Sequence, residues 1–312
     1  MSEVIDIAII GGGPAGLTAA LYGARARAST VVFESQLPGG AIITTDWIEN
    51  YPGMPEGLNG ARIGELMHAH AEKFGARFRT FEKVDSLREA GGGFILTAEG
   101  EETAARTVIL CTGSVPRKLG IPGEAEYTGR GVSWCATCDG ALFKGKVVAV
   151  LGGGDAAVEE ALFLTKFAER VHLIHRRDEL RATKCIQERC FANEKIEMHW
   201  NRVPTEIRGH EGRVTGIALE STVGEPDELL ELQGVFEFIG VHPNSELVAG
   251  LADLAEGGWV KVDSTMMTSV PGLWAAGDVT DTPLKQVVTA AGQGATAAFE
   301  ALRYVDSGVC TL

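Results

Sequence analysis

Ile5-Asp6-Ile7-Ala8-Ile9-Ile10-Gly11-Gly12-Gly13-Pro14-Ala15-Gly16 decides the fold of this chain. A short apolar run stops at three glycines, and the Ala-rich stretch Leu17 to Ala28 follows with helix-favouring composition. Thr30 to Phe33 is then entirely β-branched or aromatic and ends at Glu34. Strand, tight turn, helix and strand in that order build a parallel α/β sheet. Each glycine has a separate task. Gly11 permits the turn, Gly13 lets backbone approach a pyrophosphate, and Gly16 lets the helix pack on its strand. Glu34, 18 residues beyond Gly16, stands where an acid can bind ribose hydroxyls. A glycine turn alone is a weak signal; strand, helix and acid together point to a dinucleotide.

The same grammar returns 141 residues later. Val147 to Leu151 is a strand, Gly152-Gly153-Gly154-Asp155-Ala156-Ala157 a turn, Val158 to Phe167 a helix and Val171 to Ile174 a second strand. Gly152, Gly154 and Ala157 fill the three fingerprint slots, alanine being tolerated in the last. Here the following strand ends in His175-Arg176-Arg177, with Arg181 close behind, and no acid. Guanidinium groups hold a 2′-phosphate that a carboxylate would repel, so this turn predicts NADPH over NADH.

Two such units need two sheets. The expected fold is therefore α/β with two Rossmann-like dinucleotide-binding domains. Thr107 to Thr112 reads as a strand, and Ser114 to Arg117 as a hinge into the second domain. Near the C-terminus Leu273 to Asp278 is again Gly-containing, and Gln286 to Tyr304 is Ala-rich and helical. This tail is expected to rejoin the first domain, with a return hinge around Pro243. The second domain is thus inserted into the first: residues 1–115, 116–244 and 245–312.

Between the two turns lies Cys135-Ala136-Thr137-Cys138-Asp139-Gly140. A C-x-x-C pair can cycle as a disulfide, contribute half a zinc site, or stay inert. Cys185 and Cys190 could complete a zinc site, although their spacing fits one amphipathic helix better. Two nucleotide sites and an adjacent carboxyl at Asp139, able to carry a proton to a leaving thiolate, favour redox work; no metal is expected. Cys111 and Cys310 have no partner motif and read as incidental.

Bulk properties narrow the class further. Six cysteines in 312 residues do not make a disulfide framework, so a reducing cytoplasm is expected. A net charge of −14 argues against nucleic acid or an anionic membrane as partner. No apolar stretch approaches the roughly 18 residues of a spanning helix, and Met1 to Asp6 shows no signal-peptide pattern.

Taken together, these motifs resemble the low-molecular-weight thioredoxin reductases. The resemblance rests on Trp134 to Gly140, Gly152 to Ala161, Gly11 to Gly16, Glu49-Asn50-Tyr51-Pro52-Gly53, His175 to Asp178 with Arg181, Ala275 to Asp278, and Thr289 to Gly292. It implies a homodimeric flavoenzyme that passes electrons from NADPH to FAD, to Cys135–Cys138, and on to thioredoxin or a thioredoxin-like dithiol protein. FAD would sit in the discontinuous domain and NADPH in the inserted one. The resemblance assigns FAD contacts to Gly11, Gly12, Gly13, Pro14, Ala15, Gly16, Glu34, Gly39, Gly40, Asn50, Val84, Asp278, Lys285, Gln286 and Val287. It makes Cys138 the thiol nearer the flavin, Cys135 the one that attacks the protein disulfide, and Asp139 the proton donor. Nicotinamide and the dithiol must each touch the flavin and Cys135 must later meet a bulky protein, so rotation of the inserted domain about hinges near Pro116 and Pro243 is expected. Two positions depart from the pattern: Ala41 replaces a common Gln, and Lys285 an Arg whose planar fork an ammonium cannot copy.

Overall fold

The computed structural model describes residues 4–308. Cys310 and Met1 to Glu3 lie outside them. The chain divides into two compact units, Met1–Val115 with His242–Leu312, and Pro116–Val241.

In the first unit β1 (Ile5–Ile10) leads into α1 (Pro14–Arg25) and β2 (Thr30–Glu34). After α2 (Gly60–Lys73) come β3 (Arg77–Thr80), β4 (Val84–Ala90), β5 (Gly93–Ala98), β6 (Glu101–Leu110) and β7 (Ser114–Pro116). The sheet order is β3-β2-β1-β6-β5-β4. β1, β2, β3 and β6 run parallel, while β5 lies antiparallel on β6 and β4 antiparallel on β5.

Ile7 and Ile9 of β1 are fully buried against alanines of α1, and Ala8 and Ile10 pack on the opposite face with Phe33 and Leu96. Burial on both faces explains why β1 reads as an unbroken apolar run. Each buried isoleucine contributes roughly 1.5–3 kcal/mol.

The helix expected from Leu17 to Ala28 starts and stops three residues earlier. Pro14 fits the first helical position with its fixed φ, and Arg27 at φ 67° ends the run. The strand expected from Thr107 to Thr112 is longer, because Glu101 to Thr103 continue it as the exposed arm of a hairpin with β5.

The second unit holds α3 (Glu124–Tyr127), β8 (Val132–Ser133), α4 (Ala136–Asp139), β9 (Val147–Leu151), α5 (Asp155–Leu164), β10 (Arg170–His175) and α6 (Lys184–Phe191). It continues with β11 (Ile196–Trp200), β12 (Arg202–His210), β13 (Arg213–Ser221), β14 (Glu228–Glu231) and β15 (Gly234–Glu237). Its parallel sheet runs β11-β10-β9-β15-β8, and β12-β13-β14 form a separate antiparallel sheet. The helix expected from Val158 to Phe167 begins at Asp155, directly after Gly154.

The chain then returns through β16 (Val241–Pro243) and β17 (Leu273–Ala275) to α7 (Val287–Asp306). β17 joins the first unit's sheet beside β6. α7 lies so close to α1 that a Cβ on Gly294 would meet the Ala15 carbonyl at 2.1 Å, which is why this helix is rich in Gly and Ala.

The stretches expected as hinges are paired strands. β7 and β16 form a two-stranded ribbon. Thr112 Oγ1 donates to the Asn244 carbonyl at 2.6 Å, and the Arg117 N–H to the Gly240 carbonyl at 2.9 Å. The two crossings are therefore tied to each other at either end.

Candidate active site and two nucleotide cradles

The first turn is built for close approach. Gly11 has φ 103°, and a Cβ there would meet the Cys111 carbonyl oxygen at 2.3 Å. A Cβ on Gly16 would meet the Gly11 carbonyl oxygen at 1.9 Å. Gly13 caps α1 without any side chain, so the helix's first N–H groups stay available to an anion. The Gly39-Gly40 loop lies against the turn: the Gly39 N–H donates to Gly12 O at 2.7 Å, and a Cβ on Gly40 would reach Gly13 Cα at 2.8 Å.

Glu34 is buried at the end of β2, where its Oε2 accepts the Gly12 N–H and its Oε1 the Gln36 N–H, both at 2.7 Å. A glycine cradle with an open helix N-terminus and a fixed acid at the strand end fits the pyrophosphate and ribose of FAD.

Other residues expected around the flavin fall in the same unit. Asn50 Nδ2 donates to Gln286 Oε1 at 3.0 Å, joining two residues 236 positions apart in sequence. Val287 follows Gln286 as the first residue of α7. Val84 is buried at the start of β4. Lys285 Nζ donates to the carbonyls of Asp278 and Thr280, both at 3.2 Å, and sits 3.6 Å from the centre of the Trp259 ring. Burial lowers the Lys285 pKa and raises that of Asp278, each partly offset by the other's charge. The lysine is thus held by carbonyls and a ring face rather than by a forked pair.

The second turn repeats the backbone and changes the chemistry. Gly152 has φ 143°, and a Cβ there would meet Phe238 O at 2.4 Å. Gly154 caps α5 with open space where its Cβ would be. Asp155 Oδ1 accepts the Thr183 N–H at 2.6 Å, and the Arg181 N–H donates to Gly153 O at 2.7 Å. Ala157 is buried beneath the turn.

His175 is buried with its ring against Gly153, and its Nε2 has no hydrogen-bond partner. Burial lowers its pKa, and the charges of Arg181, Arg177 and Arg176 lower it further. Those three arginines are exposed, and among the described residues none forms an ion pair. An open helix N-terminus beside three unpaired guanidinium groups fits a phosphorylated dinucleotide such as NADPH.

Cys135 and Cys138 are joined in a disulfide with Cα atoms 5.3 Å apart. Cys135 caps the single turn of α4, its Sγ accepting the Cys138 N–H at 3.1 Å. Ser133 Oγ accepts the Cys135 N–H at 3.0 Å and fixes the approach to that turn. Cys138 is exposed, while Cys135 and Asp139 are half-buried. Cys185 and Cys190 lie on α6 as free thiols, Cys190 buried. Cys111 is a buried thiol whose pKa burial raises.

Sequence reasoning missed Glu237 and Glu124, both buried in the second unit. Glu237 Oε2 accepts from Trp134 Nε1 at 3.1 Å, and Trp134 directly precedes Cys135. The Glu124 carboxylate accepts the N–H groups of Leu119 and Gly120. Burial, and then the neighbouring Glu124 charge, push the Glu237 carboxyl up to about 8. A protonated Glu237 can donate to Glu124, whereas two ionised carboxylates repel. The one visible signal was an acid closing the apolar strand Gly234-Val235-Phe236-Glu237.

Comparison with known proteins decides the class. The family described as pyridine nucleotide-disulphide oxidoreductase matches residues 5–294. The chain belongs to that family. A thioredoxin reductase of Mycolicibacterium smegmatis is 47% identical over 303 residues, covering 97% of either chain. One from Bacillus subtilis (strain 168) is 42% identical over 308 residues, covering 98% of this chain and 97% of the relative. The crystal structure of Lactococcus lactis thioredoxin reductase superposes with a TM-score of 0.95 at 40% identity, covering 97% of this chain and 99% of that one. These matches bear out the resemblance read from the motifs and the expected α/β fold. The family's description supplies the expected chemistry, disulfide oxidoreduction with a pyridine nucleotide. Among the described residues no helix is long and apolar enough to cross a membrane.

Proposed function

We propose that this chain is an NADPH-dependent thioredoxin-disulfide reductase. Electrons pass from NADPH to FAD, to the Cys135–Cys138 pair, and to the disulfide of thioredoxin or a thioredoxin-like protein. The observation that carries the reading is the Cys135–Cys138 disulfide at the mouth of a one-turn helix, in a chain with two nucleotide cradles of opposite charge. Gly11 to Gly16, Glu34, Gly39, Gly40, Asn50, Val84, Asp278, Lys285, Gln286 and Val287 hold FAD. Gly152, Gly154, Asp155, Ala157, His175, Arg176, Arg177 and Arg181 hold NADPH. Bound there, the two groups supply hydride chemistry and a two-electron relay to the dithiol.

The residues of the chain do the rest. Two electrons open the Cys135–Cys138 bond. The Cys135 thiolate attacks one sulfur of the partner's disulfide, which breaks that bond and releases a partner thiolate. The Cys138 thiolate then attacks Cys135 in the mixed disulfide, frees the second partner thiolate and restores the bridge. Asp139 carries the proton to the departing sulfur.

The dithiol must be reduced in one setting and meet a protein in another, so the second unit turns about the β7–β16 ribbon between half-reactions. A cross-link that locks the ribbon should abolish protein reduction while one half-reaction survives; undiminished turnover would refute the rotation. The chain acts as a cytoplasmic homodimer. Exposed Tyr22 of α1, Leu66 of α2 and Phe299 of α7, all in the first unit, supply apolar surface for that contact.

The deciding experiment is NADPH oxidation driven by oxidised thioredoxin, with wild type beside Cys135→Ser. The reading predicts turnover in the first and none in the second. Equal turnover in both would exclude the dithiol as the relay.

A further inference from the structure

A cluster in the second unit plays no part in the electron route. His172 of β10 and Glu197 of β11 are register partners on adjacent parallel strands, and His199 lies two residues beyond Glu197. Neighbouring residues of a parallel pair and residues i, i+2 share a face, so all three side chains meet on one side of the sheet.

His172 Nδ1 lies 2.8 Å from His199 Nε2. Glu197 Oε2 is 3.8 Å from His172 Nδ1, and its Oε1 is 3.8 Å from His199 Nε2. Ligand atoms around a tetrahedral zinc with bonds of about 2.0–2.1 Å are about 3.4 Å apart. With a single carboxylate oxygen counted, the three donor atoms all lie within 4.8 Å of one another, so the half-exposed Glu197 carboxylate has only to swing inward to reach that spacing.

We propose that His172 Nδ1, His199 Nε2 and a Glu197 carboxylate oxygen form a binding site for a zinc-class divalent transition-metal ion. Two imidazoles and one carboxylate are a zinc donor set, and the half-exposed Glu197 leaves the fourth position to water.

Two further observations support the site. Glu228 of β14 lies with its Oε2 3.2 Å from His199 Nδ1. A carboxylate only accepts, so His199 carries its proton on Nδ1 and presents a lone pair at Nε2. This is the carboxylate–histidine arrangement that orients metal ligands. In the metal-free state His172 Nδ1 donates to His199 Nε2. Metal binding shifts that proton to His172 Nε2, a change of tautomer with no net release.

The surrounding charges also allow a cation. Arg170 Nη1 is 3.0 Å from Glu197 Oε2, which leaves Oε1 for the metal. Arg202 of β12 is occupied by Glu225 at 2.9 Å and Glu228 at 3.4 Å. Three carboxylates thus face two guanidinium groups across the histidine pair. A metal here would tie β10 to β11 and stabilise the second unit by mass action.

The test uses the flavin-loaded full chain, stripped with a chelator and kept oxidised so that Cys135 and Cys138 stay bridged. Zinc uptake is measured by equilibrium dialysis and elemental analysis. The expected result is one zinc per chain at about micromolar free metal. Affinity should fall about a hundredfold in His172→Gln or His199→Gln and ten- to a hundredfold in Glu228→Gln. Glu197→Gln, at a half-exposed position that cannot threaten folding, should lose at least about tenfold. Arg170→Met, which removes a repelling charge, should bind more tightly, and Cys185→Ser should match wild type. Saturating zinc should raise the melting temperature of wild type and leave that of His199→Gln unchanged. No saturable uptake by wild type up to about 100 µM overturns the proposal. So does uptake that Glu197→Gln and His199→Gln leave intact.

Discussion

The two glycine turns share a backbone and differ in what closes them. In the first, the strand after the helix ends at Glu34, whose carboxylate is already engaged by the Gly12 N–H. In the second, the matching strand ends at His175, whose ring covers Gly153 while Arg176, Arg177 and Arg181 stay free at the surface. An acid locked inward suits a resident group that never leaves. Loose guanidinium groups suit a charged ligand that must come and go. On the proposed reading both turns take dinucleotides, and the residue at the strand end distinguishes which dinucleotide and how it behaves. Among the described residues the one disulfide lies in the second unit, the unit proposed to take the exchangeable ligand.

The strongest way to break this division of labour is Cys135→Ser. Reduction of oxidised thioredoxin should fall by on the order of 10⁴-fold, while anaerobic bleaching of the flavin by NADPH persists. Loss of both would mean that the two units are not separable in function.

Next in size is Arg176→Ala combined with Arg177→Ala. Charge-assisted hydrogen bonds contribute about 1.5–3 kcal/mol each, less when exposed, so KM for NADPH should rise roughly ten- to a hundredfold. KM for NADH should hardly move, and flavin content should stay full. Glu34→Gln should show the reverse pattern, with weaker flavin retention and unchanged nucleotide preference.

The turns themselves supply a smaller contrast. Gly16→Ala drives a methyl into the Gly11 carbonyl oxygen and should cost about 1–3 kcal/mol of stability. Gly154→Ala has open space for its methyl, so any loss should appear in NADPH affinity and not in the melting temperature.

The smallest effect concerns pH. Folded Glu237 keeps its proton up to about 8, against an ordinary value of 4.5. Between those values the folded chain binds more protons than the unfolded one, so stability should decline as pH rises across that window. Glu237→Gln should flatten this part of the stability profile, as thermal melts at a series of pH values would reveal.

Much of this was legible in the sequence. Strand, glycine turn and helix are local patterns, so β1, α1, β2 and β9, α5, β10 could be read directly, with end positions shifted where Pro14 or Gly154 sets the first helical residue. The antiparallel β4–β5 arm and the β12–β13–β14 sheet went unread, because their alternation is broken by charge and by bulges such as that between Pro204 and Glu206. The pairing of β7 with β16 was equally hidden, since it joins segments more than a hundred residues apart. Cys135 and Cys138 announce themselves by spacing. Glu237 does not, because its partners Trp134 and Glu124 come together only through the parallel pairing of β8 with β15. The His172–Glu197–His199 cluster escaped for the same reason: register, not sequence distance, assembles it.

The most direct test of the account is a thiol count under anaerobic conditions. The flavin-loaded chain is mixed with excess NADPH, quenched with an alkylating probe and mapped by mass. The account predicts two newly labelled cysteines per chain, Cys135 and Cys138, with both labels lost when oxidised thioredoxin is added before the quench. A fully bleached flavin with the Cys135–Cys138 bridge still closed would contradict it.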